Sequence, residues 1–169
     1  MIPIQLTTEP VVITPVRPTE LHSVWPFLER GLSDIVCKIE PDWIPADVYG
    51  AIRAEVATAV IVTRAERRLG FGIWHKQERP WSHKLDIFVW AVWAIPLRER
   101  IPSDNLPEVM YRGIQYLYGV KAALGANAVI MVSSRKGFAR HYGFKQRFIT
   151  YEVLLNGSRG RIANSNISD

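Results

Sequence analysis

The run Leu85-Asp86-Ile87-Phe88-Val89-Trp90-Ala91-Val92-Trp93-Ala94-Ile95 constrains this chain more than any other feature. A strand turns alternate side chains to opposite faces, and here the odd and the even positions are both largely apolar. Such a strand is predicted to be covered on both faces and to lie centrally in a sheet. Elements on either side of it in the sequence must supply the cover.

Upstream, residues 57–63 and 71–75 are β-rich runs separated by a charged turn over 64–70, a pattern that predicts an antiparallel pair. A polar stretch over 76–83 links them to the central run. Residues 11–14 form a short β-branched strand leading into a helix, with Thr19 as its N-cap and an acidic first turn. Leu21, Val24, Trp25, Leu28 and Leu32 recur at helical spacing on one face, and Pro26 is expected to kink or delay that helix. A second helix is predicted from Ile44-Pro45-Ala46 to about Glu55, with Pro45 suited to the first helical position.

Downstream, a polar loop over 96–107 precedes a long helix that Ser103 or Asp104 can cap and that Gly125 ends. Val109, Met110, Gly113, Ile114, Tyr116, Leu117, Val120 and Leu124 make its broad apolar face. A short buried strand over 128–132, a basic turn or helix over 135–141 and a last strand over 148–155 complete the order β-α-α-β-β-β-α-β-α-β. The fold class is therefore α/β (α+β), with a mixed, mainly antiparallel central sheet flanked by helices.

A length of 169 residues suits a single domain. With 48% apolar residues, the composition is that of a packed globule. The expected organisation is an N-terminal extension over 1–10, a folded domain over 11–155 and a polar C-terminal tail over 156–169. No apolar run approaches the roughly 18 residues of a membrane span, and the first residues lack the pattern of a signal peptide. A soluble, cytoplasmic protein is the expectation. The lone Cys37 makes no internal disulfide, and His22, His75, His83 and His141 are scattered, so no metal is expected. The net charge of +5 favours acidic partners such as nucleic acid, nucleotides or an acidic protein surface.

Phe138-Ala139-Arg140-His141-Tyr142-Gly143-Phe144, following a strand and ending in a Gly-Phe pair, resembles the Phe-Tyr-Glu-Lys-Leu-Gly-Phe signature of the GNAT superfamily. The resemblance extends over about residues 11–155 through the element order. It implies acyl-CoA-dependent N-acetylation of a small amine or a protein N-terminus, with acetyl-CoA held along the central strand (Trp93, Ala94 and Ile95) and by Ser133, Ser134, Arg135, Lys136 and Arg140. In that family the central strand and the next one splay apart and leave backbone groups free for the pantetheine arm. A Gly-rich turn before the long helix offers bare N–H groups to the pyrophosphate.

This chain departs from the family at two places. Where the family has its Gly-rich turn, residues 97–107 contain no glycine and carry Pro102 and Pro107, with Arg98 and Arg100 as side-chain substitutes for phosphate binding. Ala139 stands where the family places the tyrosine acid, which leaves Tyr142 or Tyr111 as the phenol that protonates the thiolate. Asp86 and His75 are the nearby candidates for a general base. Residues 133–140 also resemble a run found in small GNAT-like proteins encoded by tailed bacteriophages, some of them virion components. That resemblance implies an alternative without catalysis, in host cytoplasm or virion, in which the protein docks on assembly partners or nucleic acid through its basic surface and tail, as a homo-oligomer or part of a larger assembly.

Overall fold

The computed structural model describes residues 9–39 and 41–131. These form β1 (Val12–Pro15), α1 (Leu21–Ile39), α2 (Pro45–Arg53), β2 (Ala57–Arg64), β3 (Arg67–Glu78), β4 (Leu85–Ala94), α3 (Leu106–Ala123) and β5 (Ala128–Met131). The sheet order is β1-β2-β3-β4-β5. Pairing is antiparallel as far as β4, and β5 joins β4 in parallel, as a crossover through α3 requires. The order matches the sequence expectation through β5. The elements predicted over 135–141 and 148–155 lie outside the described residues.

The β2–β3 connection is tighter than predicted. Arg64 pairs with Arg67 across a two-residue turn in which Ala65 and Glu66 have φ of 49° and 61°. Two successive positive φ values give a turn whose twist matches the flanking strands. Residues 67–70 therefore belong to β3 and not to a loop, with a register shift that makes Leu69 an extra residue opposite β2.

Helix α1 runs 19 residues with Pro26 inside it. It starts at Leu21, so Thr19 and Glu20 precede it and its first turn carries no acid, contrary to the predicted cap; Ser23 Oγ instead donates to the Glu20 carbonyl at 2.7 Å. In α2, Pro45 takes the first turn as expected. That helix ends with Glu55 at φ 58°, where the Glu55 and Val56 N–H groups donate back to the Ile52 and Ala51 carbonyls at 3.1 and 2.9 Å. Helix α3 ends at Gly125 as predicted, through the same reciprocal pattern: Gly125 N–H on Ala122 and Ala126 N–H on Lys121.

The start of α3 differs from the expectation. Asn105, at φ 41°, occupies the N-cap position, and neither Ser103 nor Asp104 caps the helix. Asp104 is drawn away because its buried carboxylate accepts the Ile101 N–H at 2.9 Å and pairs with Arg67 at 3.4 Å.

The larger core lies between the sheet and helices α1 and α2, where Leu21, Leu28 and Leu32 meet Phe71, Ile73 and Trp93. Full burial of each such side chain is worth about 1.5–3 kcal/mol. Gly31 permits the close approach: a Cβ there would stand 2.6 Å from Trp93 Cδ2. A smaller core on the other face joins Trp74 and Ile87 to Leu117, Val120 and Leu124 of α3.

Strand β4 is only partly as predicted. Ile73 pairs with Ala91 but the next residue, Trp74, pairs with Val89, so Trp90 is an extra residue on β4. A bulge of this kind breaks the strict alternation of faces. Ile87 packs in the α3-side core, whereas Trp90, Ala91 and Trp93 all join the core beneath α1 and α2. Past the bulge Val92 is 38% exposed, so cover on both faces holds only for the first half of the strand.

Candidate active site

Among the described residues, β4 has a partner on its β5 side only as far as Val89, opposite Met131, where the described part of the chain ends. The parallel register with β5 runs from Asp86↔Ala128 to Val89↔Met131, and among the described residues nothing pairs with β4 beyond Val89 on that side. On the other side the ladder continues, with Ile95 N–H donating to the Leu69 carbonyl at 2.9 Å. Counting back from Ile95 by the alternation of an antiparallel ladder, the peptide groups of Val92 and Ala94 point away from β3. Two such peptide units, unpaired among the described residues, can bond an extended, amide-containing ligand as a further strand would. Ala94 is half-buried and Val92 exposed, so a ligand can reach them.

The loop that follows has the opposite character. Its carbonyls and carboxylates are taken up by guanidinium groups. Arg64, buried on β2, donates to the Ser103 carbonyl and to the Glu108 carboxylate. Arg67 donates to the Glu99 carbonyl, Arg30 of α1 pairs with the Glu99 side chain, and Arg100 Nε donates to the Ile95 carbonyl at 2.9 Å. At the start of α3, Pro107 has no N–H, Glu108 N–H is spent on the Asn105 carbonyl at 3.0 Å, and Glu108 adds a negative charge. A pyrophosphate needs free donors at a helix N-terminus, and this one offers few. Among the described residues, the Val92 and Ala94 peptides are amide groups of the kind that could bond a pantetheine arm, whereas the start of α3 offers the phosphates few donors.

The Arg30 guanidinium, by its hydrogen bond first and its charge second, holds the Glu99 carboxyl below the usual carboxylate range. Arg30 also lies over the Trp93 ring at 5.7 Å, and the Trp93 indole N–H donates to Asp34 at 3.1 Å. Trp93 thus serves as a core residue stacked on Phe71, and only its backbone belongs to the edge.

The remaining predicted site residues divide sharply. Ile95 is buried, and its N–H is committed to β3. The Arg98 side chain is 83% exposed beside Glu99, and Arg100 is turned back onto its own strand end, so neither points a free cation at the strand edge. Tyr111 is exposed on α3. Asp86 is buried and held by Arg79 at 2.5 and 3.1 Å, which removes it as a base. Ser133, Ser134, Arg135, Lys136, Arg140 and Tyr142 lie outside the described residues.

Sequence reasoning passed over Tyr116 as a titrating group. Burial pushes its hydroxyl up, and the neighbouring Trp74 indole partly offsets the rise. Reading Tyr116 only as part of an apolar helix face hid this pair.

Among the described residues no helix is long and apolar enough to cross a membrane, and no group of metal-ligating side chains gathers. No protein-family model matches the sequence, and no curated relative matches it. Solved structures do resemble it. A predicted acetyltransferase from Clostridium acetobutylicum, solved with acetyl-CoA, has a TM-score of 0.63 at 12% identity over 89% of this chain and 100% of that one. A Trypanosoma brucei acetyltransferase has a TM-score of 0.59 at 16% identity, over 86% and 100% of the two chains. The ribosomal-protein-alanine N-acetyltransferase of Brucella melitensis biovar Abortus 2308 has a TM-score of 0.60 at 11% identity, over 86% and 99%. The chain therefore has the GNAT fold of these acetyltransferases, as the resemblance in its sequence implied.

Proposed function

We propose that this protein is an N-acyltransferase of the GNAT type that binds acyl-CoA through the open edge of β4 and anchors the phosphates by means other than the usual helix N-terminus. The observation that carries this reading is the fold shared with solved acetyltransferases, one of them holding acetyl-CoA, together with the Val92 and Ala94 peptides, which face away from β3 at partly exposed positions of β4. Bound there, an acyl-CoA supplies an activated thioester carbonyl. The chain's own part is to hold the pantetheine amides by backbone bonds and to bring an amine to the same edge. Ser133, Ser134, Arg135, Lys136 and Arg140 carry the hydroxyl groups and cations that suit the phosphates. Tyr142 and Tyr111 are the phenols proposed to protonate the departing thiolate.

The acetyl-CoA complex of the Clostridium acetobutylicum protein supports the donor, and the complex of a structurally similar aminoglycoside acetyltransferase with sisomicin supports an amine acceptor. The test is release of free thiol from acetyl-CoA in the presence of a panel of primary amines. Amine-dependent release is expected; its absence across the panel, with acetyl-CoA bound, would limit the protein to acyl-CoA binding.

A second reading has its own observation. The arginine ties of Arg30, Arg64, Arg67 and Arg100 fill the loop before α3 with internal bonds. That arrangement also suits a GNAT-like assembly or virion protein, as the bacteriophage resemblance implies, which keeps the fold for docking on protein or nucleic acid. Failure of acetyl-CoA to bind would favour this reading.

A further inference from the structure

The aromatic group around the bulge has no role in the reading above. By the ordinary alternation of the strand, the Trp90 side chain lies on the α1–α2 face, where its ring stands 6.0 Å from Trp43 and 5.9 Å from His75. Phe88, two residues back on the same strand, stands 5.2 Å from the His75 ring. All four side chains are neither buried nor fully exposed, so the group forms a surface wall with its rings open to a ligand. Trp90 links this wall to Val92 and Ala94, which follow it on the same strand.

The tautomer of His75 follows from one contact. Its Nδ1 lies 3.0 Å from the Lys76 carbonyl, which can only accept, so Nδ1 carries the hydrogen and the neutral ring keeps its lone pair on Nε2. Lys76 follows His75 on β3 but lies opposite Ile87, on the other face of the sheet. The nearest acid on the β4 neighbour is Asp86, which is bound by Arg79. Ala57 is the β2 residue opposite His75. A base flanked by aromatic faces suits an ammonium group, which ring quadrupoles attract before it gives up its proton.

We propose that Trp43, His75, Phe88 and Trp90 form the acceptor subsite, that the acceptor is a primary amine carrying an aromatic or bulky apolar group, and that His75 Nε2 takes its ammonium proton. This rests on the acyl-transfer reading for its chemistry but not for its binding test. The freed amine nitrogen attacks the thioester carbonyl of the acyl donor; the C–N bond forms, the C–S bond breaks, and the second amine proton passes to the departing thiolate. His75 returns the first proton to solvent.

The test uses the full chain and phenethylamine as probe, titrated by calorimetry without acetyl-CoA and then assayed by thiol release with it. Saturable phenethylamine binding is expected, weakened about 3- to 30-fold in Trp43→Ala and Trp90→Ala and retained more closely in Trp90→Phe, which keeps a ring there. His75→Gln is expected to leave acetyl-CoA affinity within about twofold while lowering kcat about 100-fold or more, the size of a lost general base. Absence of phenethylamine binding, or equal affinity in Trp43→Ala and Trp90→Ala, would overturn the subsite. An unchanged kcat in His75→Gln would overturn the role of His75. Failure of wild-type protein to bind acetyl-CoA would remove the acyl-transfer reading and with it the proton transfer, while the phenethylamine titration would still decide the subsite.

Discussion

Gly31 in the middle of α1 lies directly over the Trp93 ring, so that a Cβ added to it would stand 2.6 Å from Trp93 Cδ2 and would also overlap the Phe71 ring. Two rigid, buried rings cannot yield as a flexible side chain would. Gly31→Ala gains about 1 kcal/mol of helix propensity but forces repacking that costs about 1–3 kcal/mol. Net destabilisation of up to about 2 kcal/mol is expected in urea unfolding. A more stable variant would mean that α1 sits farther from the sheet.

The Ala65-Glu66 turn holds two non-glycine residues at positive φ. Asn and Gly adopt those angles with less strain. Ala65→Asn with Glu66→Gly is expected to raise stability by about 1–2 kcal/mol, since each L-residue in the left-handed region costs about 1 kcal/mol. Loss of stability in the double variant would indicate a different turn.

Asp86 is 1% exposed and has its charge answered by Arg79. Arg79→Ala leaves a buried carboxylate alone, which costs about 3–5 kcal/mol. Adding Asp86→Asn to that variant removes the stranded charge and is expected to recover a substantial part of the loss. Additive losses in the double-mutant cycle would contradict the pairing.

The sequence carried the order of elements because each signal was local. The strand character of residues 85–95, the helical spacing of Leu21, Leu28 and Leu32, and Gly125 as a helix stop all depend on residues near in sequence, and the fold agrees with them. What it hid was either non-local or carried by atypical residues. Ala65-Glu66 lacks the glycine or asparagine that marks a tight hairpin. The Trp90 bulge is a property of pairing with β3, invisible in β4 alone. Arg64, Arg67 and Arg30 reach the loop before α3 from β2, β3 and α1, so that loop looks like free cations and acids in the sequence and proves to be internally bonded. For the candidate site, Arg98 and Arg100 look like free cations in the sequence, whereas Arg98 lies beside Glu99 and Arg100 bonds its own strand end, and the aromatic wall around His75 emerges only once Trp43, ahead of α2, and β4 are brought together.

Glu99 ties the loop to α1 through Arg30, and its carboxyl is held low in the folded state. A depressed folded value means that this contribution is present above the ordinary glutamate range and is lost as pH falls through the lowered value. Glu99→Gln is therefore expected to be less stable than wild type at neutral pH and to converge with it in acid. Urea midpoints measured from pH 7 to pH 3 check this; a difference that persists unchanged into acid would point to packing and not to the ion pair.

The most direct measurement is calorimetric titration of acetyl-CoA into wild type and into Ala94→Pro at low and moderate salt. Proline at 94 removes the N–H that faces away from β3 and spares the β3 ladder, so only a ligand on the open edge should sense it. Saturable binding that survives moderate salt, weakened about 3- to 10-fold in Ala94→Pro as expected for one lost hydrogen bond, is the predicted result. No binding by wild type, or equal binding by a folded Ala94→Pro, would contradict the open edge of β4 as the acyl-CoA site.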